Sequence, residues 1–471
     1  MRREPTSFND DLTNEKSGPS LLPLTLALGV LLWLFTTTGG HQVFVKEMLG
    51  SAYDSQAEHF LRGDVNVDGE DIRHEALIVN GSARMYFGPF PAFVRMPLNF
   101  IYPAGRGKWS RISGFFAGMV ALFAFAKLVA DCLRSSSLSR SARTWLGNAC
   151  LAGFALGSPL LLLLGNLSIY NEAIIWGLAW SLAALFFACR ARDATGHALI
   201  RSLLGFSLCA VGALLSRVTF GLPFLLIAPL LILRLTRNER RRGLAAILIP
   251  LGVGLAFYVF LSYARFGNLI GINYDSYINP VHREFAHDYG IFSLRRVPCG
   301  FIGYFNLHFP SFEMEPPFLR GERQVSPCPS LYCLPFSETY LSVPWCSSWL
   351  LLGAAMGIAS LLRANRTGWS QRGMAAAFFT QFVLILSFFA LSQRYAADLY
   401  PFLIFSMLVF LRTGGSILLR ARYVMIGLVA FSILVNSLTT ISWLVDTDQN
   451  VLPETRAAWN AFLGRNPAPL K

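Results

Sequence analysis

The chain has 471 residues, 54% of them hydrophobic and only 14% charged, and its mean hydropathy is +0.47. Soluble domains carry about 25% charged residues, so the composition excludes a soluble enzyme. The formal charge of +13 comes from 40 basic and 27 acidic residues. It does not indicate nucleic acid, because Arg and Lys fall in short runs between apolar stretches and not along one wet face.

A helix needs roughly 20 apolar residues to cross a hydrocarbon core of about 30 Å. Apolar runs at 21–38, 111–131, 146–165, 173–189, 202–216, 221–233, 244–263, 345–362, 373–391, 399–411 and 423–444 predict an all-α polytopic membrane protein with eleven spans. The runs 202–216, 221–233 and 399–411 are short, which predicts helices that are broken or packed inside the bundle. Residues 1–20 mix both signs of charge and read as a cytoplasmic tail. Residues 21–444 form the transmembrane domain, and 445–471 an extracytoplasmic tail. The first run ends in Thr36-Thr37-Thr38-Gly39-Gly40 without a cleavage site, so it reads as a first span and not a signal peptide.

Short loops rich in Arg lie on the cytoplasmic side. With the N-terminus inside, the inner loops hold Arg134, Arg140 and Arg143, then Arg190, Arg192 and Arg201, then Arg234, Arg237 and Arg240-Arg241-Arg242. Arg363, Arg366 and Arg372 follow, then Arg412, Arg420 and Arg422, while the outer connection 166–172 has none. The positive charge is therefore mostly orientation bias, and an odd number of spans leaves the C-terminus outside.

Two long connections face outward, 39–110 and 264–344, and hold six of the seven histidines. In the first, Val45, Met48, Leu49, Tyr53, Ala57 and Phe60 recur at three- and four-residue steps. This predicts an amphipathic surface helix over 43–62, stopped at Gly63. Asp54 and Glu58 share one face of it. Next, Ala76 to Val79, Asn80-Gly81 and Ser82 to Phe87 predict a β-hairpin with a two-residue turn. Arg95 follows an aromatic-proline segment, with no acidic neighbour in the sequence.

In the second loop, Cys299, Cys328, Cys333 and Cys346 predict at least one disulfide in an oxidising compartment, the short 328–333 closure first among the pairings. His282 and His287 are five apart, about 140° around a helix, which argues against a zinc-protease motif. Arg217 and Arg394 fall at outer span ends, where arginine either snorkels or grips a phosphate. Asp398 follows Arg394 by four, as an intrahelical pair would. Glu172 opens a span, where a carboxylate complements the helix N-terminus.

Tyr53-Asp54-Ser55-Gln56-Ala57 and Tyr86-Phe87-Gly88-Pro89-Phe90-Pro91 resemble the GT-C glycosyltransferases, polytopic enzymes that take sugars from polyprenyl-phosphate carriers. Tyr170-Asn171-Glu172-Ala173, Ser216-Arg217-Val218-Thr219, Tyr263-Ala264-Arg265-Phe266-Gly267 and Arg394-Tyr395-Ala396-Ala397-Asp398 extend the resemblance along most of the chain. It implies a GT-C-like fold in a bacterial cytoplasmic membrane, a polyprenyl-phosphate-linked sugar as donor, and a glycan, lipid or protein acceptor at the outer face. Asp54 would be the catalytic base, and Glu58, Glu75, Tyr86, Arg95, Glu172, Arg217, Arg394 and Asp398 would bind substrate. Many GT-C families have an Asp-Glu pair where Asp54 is followed by Ser55. The resemblance leaves room for a divalent metal and requires no other cofactor. An O-antigen polymerase or ligase and a membrane transporter are the rival readings. The rich first loop speaks against the polymerase or ligase, and the scarcity of mid-membrane ionisable residues speaks against the transporter.

Overall fold

Helices form where the apolar runs lie, and their breaks have identifiable local causes. The computed structural model describes residues 19–269, 271–308, 310–320, 336–338, 340–363, 367–448 and 450–465. Helix α1 (Leu22–Thr36) leads into the first outer loop, which contains α2 (Ser51–Leu61), a hairpin of β1 (Leu77–Val79) and β2 (Ser82–Arg84), and α3 (Phe90–Ile101). Then follow α4 (Ser110–Arg134), α5 (Arg140–Leu156), α6 (Pro159–Gly165), α7 (Ile169–Asp193), α8 (Gly196–Ser216), α9 (Val218–Ile232) and α10 (Arg240–Phe266). The second outer loop holds α11 (Pro280–Tyr289), α12 (Val297–Phe305), a two-residue pairing of β3 (Ser311–Phe312) with β4 (Leu319–Arg320), and β5 (Phe336–Ser337). The chain closes with α13 (Ser348–Leu362), α14 (Trp369–Leu386), β6 (Ala390–Leu391), α15 (Tyr400–Thr413), α16 (Gly415–Ser442) and α17 (Pro453–Phe462).

Each apolar run coincides with one of these helices or, for 146–165, with a bent pair. Among the described residues six helices are long and apolar enough to cross a membrane, seven when α5 and α6 count as one span bent by 40°. That bend sits at Ser158-Pro159. Proline has no N–H for the helix ladder, and the Ser158 hydroxyl donates to Phe154 O at 2.6 Å while accepting from Leu160 N at 3.2 Å. The short runs fare differently. The 202–216 run is lengthened to 21 residues in α8. Helix α9 stays at 15 residues with Pro223 and Pro229 inside it, about 22 Å long, and packs against α8 and α14. Helix α15 is buried along almost its whole length, as a helix surrounded by others must be. By contrast, α10 turns Leu248, Ile249, Val253, Leu255 and Phe260 outward, the apolar face expected towards lipid. The chain is a multi-pass membrane protein.

In the first loop the helix begins at Ser51, not at residue 43. Residues 43–50 form bends, irregular backbone and a turn, and Leu49 takes a left-handed conformation (φ 56°) incompatible with a continuous helix. The hairpin pairs Leu77 with Arg84 and Val79 with Ser82. Its turn has positive φ at both Asn80 (53°) and Gly81 (77°), the type I′ geometry that Asn-Gly favours. Helix α3 lies over α2, with Pro91, Ala92 and Arg95 buried while Phe100 and Ile101 are exposed. Helix α17 packs at the same end of the bundle as these elements: Arg111 donates to Thr455 Oγ1 at 3.0 Å, Thr455 donates to Gln42 at 2.7 Å, and Trp459 meets Phe35. Residues 450–465 are thus docked against the bundle, and the expected tail at 1–20 lies almost wholly outside the described residues.

Candidate functional site

Polar side chains converge where the N-terminal turns of α7 and α15 and the C-terminal turns of α8 and α10 meet the first outer loop. Two clusters form there, joined by the first turn of α7.

The inner cluster is Asp54, Arg95 and Glu172, from α2, α3 and α7, all three without solvent exposure. Arg95 Nη2 donates to Glu172 at 2.7 Å and to Ser110 Oγ at 3.3 Å, whereas Arg95 Nε stands 3.5 Å from Asp54. The arginine without a sequence neighbour therefore has two acidic partners, supplied from 41 and 77 positions away (95 − 54 and 172 − 95). Its charge is committed to Glu172 and only loosely shared with Asp54. Neither Asp54 oxygen accepts a hydrogen bond of good geometry, and one oxygen of Glu172 is likewise unused. Burial raises the Asp54 carboxyl above its ordinary range, opposed by the nearby Arg95 charge. Glu58, one turn on, does not share this environment. It is partly exposed and takes a 2.6 Å bond from Arg106, which also reaches Asp71 at 3.1 Å.

The outer cluster is centred on Glu75. Tyr86 and Tyr277 donate to one of its oxygens at 2.7 and 2.6 Å, and Tyr170 donates to the other at 2.6 Å. Burial, reinforced by the Glu75 carboxylate, pushes the Tyr86 and Tyr277 phenols above their ordinary range, so they stay protonated as donors. Tyr86 is brought there by a close backbone approach two residues on. A Cβ on Gly88 would lie 1.9 Å from Ser216 O, so only glycine fits against the end of α8.

Arginines border this cluster. Arg394 stacks over Tyr170, 4.1 Å from its centroid, and Arg217 lies 5.2 Å from the Tyr395 centroid. The expected Arg394–Asp398 pair does not form. Asp398, fully buried, is held by Thr219 and by Arg217 Nε at 3.3 Å, and Arg394 pairs with Glu338 of the second outer loop. The backbone winds as a tighter 3-10 turn at Ala397–Leu399 within a helical span running from Gln393 to Thr413, which takes Asp398 out of the i,i+4 position of a regular α-helix.

Four participants were not selected from the sequence. Tyr277 and Glu338 reach the site through tertiary packing alone, whereas Tyr170 and Arg265 stood in segments that carried the family resemblance. Arg265 carried a signal, since it ends an apolar run just as Arg217 and Arg394 border theirs. Buried at the end of α10, it donates to Phe87 O at 3.2 Å and leaves Nε and Nη2 without partners. Among the described residues no three His, Cys, Asp or Glu side chains are grouped to hold a metal. Cys299 is disulfide-bonded, Cys346 is a buried free thiol, and Cys328 and Cys333 lie outside the described residues.

These features define a multi-pass helical membrane protein with a buried cluster of carboxylates, phenols and arginines at one end of the bundle. No protein-family model matches the chain, and no curated protein does. Among solved structures it is similar to ArnT from Cupriavidus metallidurans bound to undecaprenyl phosphate. The likeness covers 94% of this chain and 68% of that one, at 14% identity and a TM-score of 0.45. At that distance the chemistry of the site has to be read from its own residues.

Proposed function

We propose that this chain is a GT-C-like membrane glycosyltransferase of a bacterial cytoplasmic membrane, moving a sugar from a polyprenyl-phosphate carrier to an acceptor at the outer face. The observation that carries this reading is the meeting, at one end of the bundle, of phosphate-capable arginines with a buried carboxylate, Asp54, that accepts no hydrogen bond of good geometry and only shares its counter-charge. Arg217, Arg394 and Arg265 offer guanidinium donors suited to a phosphate. In the transfer step the acceptor oxygen bonds to the anomeric carbon, the bond from that carbon to the phosphate oxygen breaks, and polyprenyl phosphate leaves. The arginines stabilise the charge that builds on the leaving phosphate. Asp54 takes the acceptor proton as the oxygen attacks. Its carboxylate is sealed from solvent between α2 and α3, so an acceptor hydroxyl reaches it only when those helices part. Glu75, Tyr86 and Tyr170 line the approach and orient the sugar, Arg95 and Glu172 hold the base, and Asp398 holds Arg217.

The deciding experiment supplies purified protein with a polyprenyl-phosphate-linked sugar and extracted envelope glycolipid, and follows free polyprenyl phosphate. Acceptor-dependent release supports transfer. Movement of the intact lipid-linked sugar across vesicles without release would establish a transporter instead. Comparing surface glycans with and without the gene identifies the acceptor.

A further inference from the structure

Arg394 does not face an empty site in this state. Glu338 occupies it, and the way it does so resembles the binding of a substrate anion more than a structural ion pair. One Glu338 oxygen accepts from Arg394 Nη2, the other from the Ser392 hydroxyl. The carboxylate is presented by the second outer loop through a two-residue parallel pairing of β5 with β6, extended by a 3.0 Å bond from Glu338 N to Leu391 O. This ladder runs beside the segment that carries Ser392 and Arg394. The Glu338 side chain is 43% exposed while Arg394 is only 17% exposed. Water can therefore take over the departing carboxylate at little cost, whereas the guanidinium, stacked on Tyr170, stays in place. The donor set also exceeds what a carboxylate uses, because Arg394 Nε is buried and without a partner. A phosphate brings a third acceptor oxygen for it.

We infer that Glu338 is a stand-in counterion, exchanged for the phosphate of the lipid donor when that donor enters. This rests on the glycosyltransferase reading for the identity of the lipid and on the geometry alone for the exchange. Two ligands competing for one guanidinium oppose each other reciprocally, so removing the internal one strengthens the external one.

The test measures binding of undecaprenyl phosphate and of dodecyl phosphate to the full-length protein in detergent. Glu338→Gln retains shape and hydrogen bonding but not charge, and should tighten binding by about fivefold or more. The same substitution made on Arg394→Ala should give no tightening, a dependence that mere loosening of the loop does not produce. Tightening with both lipids supports the exchange and the polyprenyl donor together. Tightening with dodecyl phosphate, while undecaprenyl phosphate fails to bind even the wild type, supports the exchange and removes the polyprenyl donor. Unchanged or weaker binding of both lipids in Glu338→Gln overturns the exchange, as does equal tightening in the Arg394→Ala background.

Discussion

Asp54 is a fully buried acid with no hydrogen bond of good geometry and a shared counter-charge, and this makes its proton chemistry testable. Burial lifts its folded pKa, so the folded state binds the proton more tightly than the unfolded chain does. The stability tied to protonation is complete below the unfolded value of about 3.9 and is lost as pH rises through the folded one. Asp54→Asn should therefore leave the protein as stable as wild type near neutral pH, or more so, as thermal unfolding in detergent would show. Transfer should nonetheless fall by about 10²–10⁴-fold, the usual contribution of a general base. In the wild type the acid limb of the rate profile should sit above the ordinary carboxylate range, and a residual Asp54→Asn rate should lack that limb. Glu58→Gln, which alters a partly exposed pair with Arg106, should cost far less. Retention of more than a few per cent of turnover in Asp54→Asn sinks the assignment. For the donor, a charge-assisted hydrogen bond is worth roughly 1.5–3 kcal/mol, so Arg394→Ala should weaken lipid-donor use by at least about tenfold. A similar loss in Arg394→Lys would point to planar, two-pronged recognition. What the sequence revealed at this scale was residue type and position along the spans, enough to select Asp54, Arg217 and Arg394. The partners were hidden, because Arg95 meets Glu172 across 77 positions and Glu75 meets Tyr277 across 202. No local spacing rule records either meeting.

At the scale of elements, Arg95 fastens α3 to α7 and lies against α2. Deleting one partner of a buried ion pair strands the others, typically at about 3–5 kcal/mol. Arg95→Ala leaves two buried carboxylates without a counter-charge, so its melting temperature should drop by several degrees and membrane expression should fall with it. An unchanged melting temperature would show that α2, α3 and α7 do not depend on this contact. Gly88 makes a second, steric test, because the atom a Cβ would strike is the main-chain oxygen of Ser216, which cannot swing aside. Gly88→Ala should cost at least about 1–3 kcal/mol through overpacking and displace Tyr86 from Glu75. Full activity and normal stability in this variant would contradict the close approach. The hairpin was readable because Asn80-Gly81 is itself a turn instruction, and the spans because hydropathy is local. The start of α2 was not, since the apolar spacing at Val45, Met48 and Leu49 imitates a helix, whereas Met48 and Leu49 pack against α2 from an irregular segment. The Arg394–Asp398 spacing misled for a similar reason: i,i+4 implies contact only in regular α-helix, and a 3-10 turn intervenes at Ala397–Leu399.

For the whole molecule, sidedness organises everything else. Cys299 is disulfide-bonded, as expected if the second long loop faces an oxidising compartment. Peptide mapping without reductant should find a linked Cys299 peptide while Cys346 alkylates only after unfolding; free alkylation of Cys299 in the native protein would place the loop elsewhere. The docked C-terminal segment sharpens the topology further. Thr455 is bonded to Arg111 and Gln42, beside the end of α1 and the start of α4, so α17 belongs to the same side as the first long loop. Arg240 begins the 27-residue α10, whose far end, about 40 Å away, places Arg265 against Phe87. Arg240-Arg241-Arg242 and the C-terminal helix therefore lie at opposite ends of the bundle, with the arginine triplet where the positive-inside rule puts the cytoplasm. A reporter joined at Arg240 should read as cytoplasmic and one joined after Lys471 as extracytoplasmic. If both read as cytoplasmic, Asp54, Glu75 and Arg394 would face the cell interior, and a transfer reaction at the outer face would have to be abandoned.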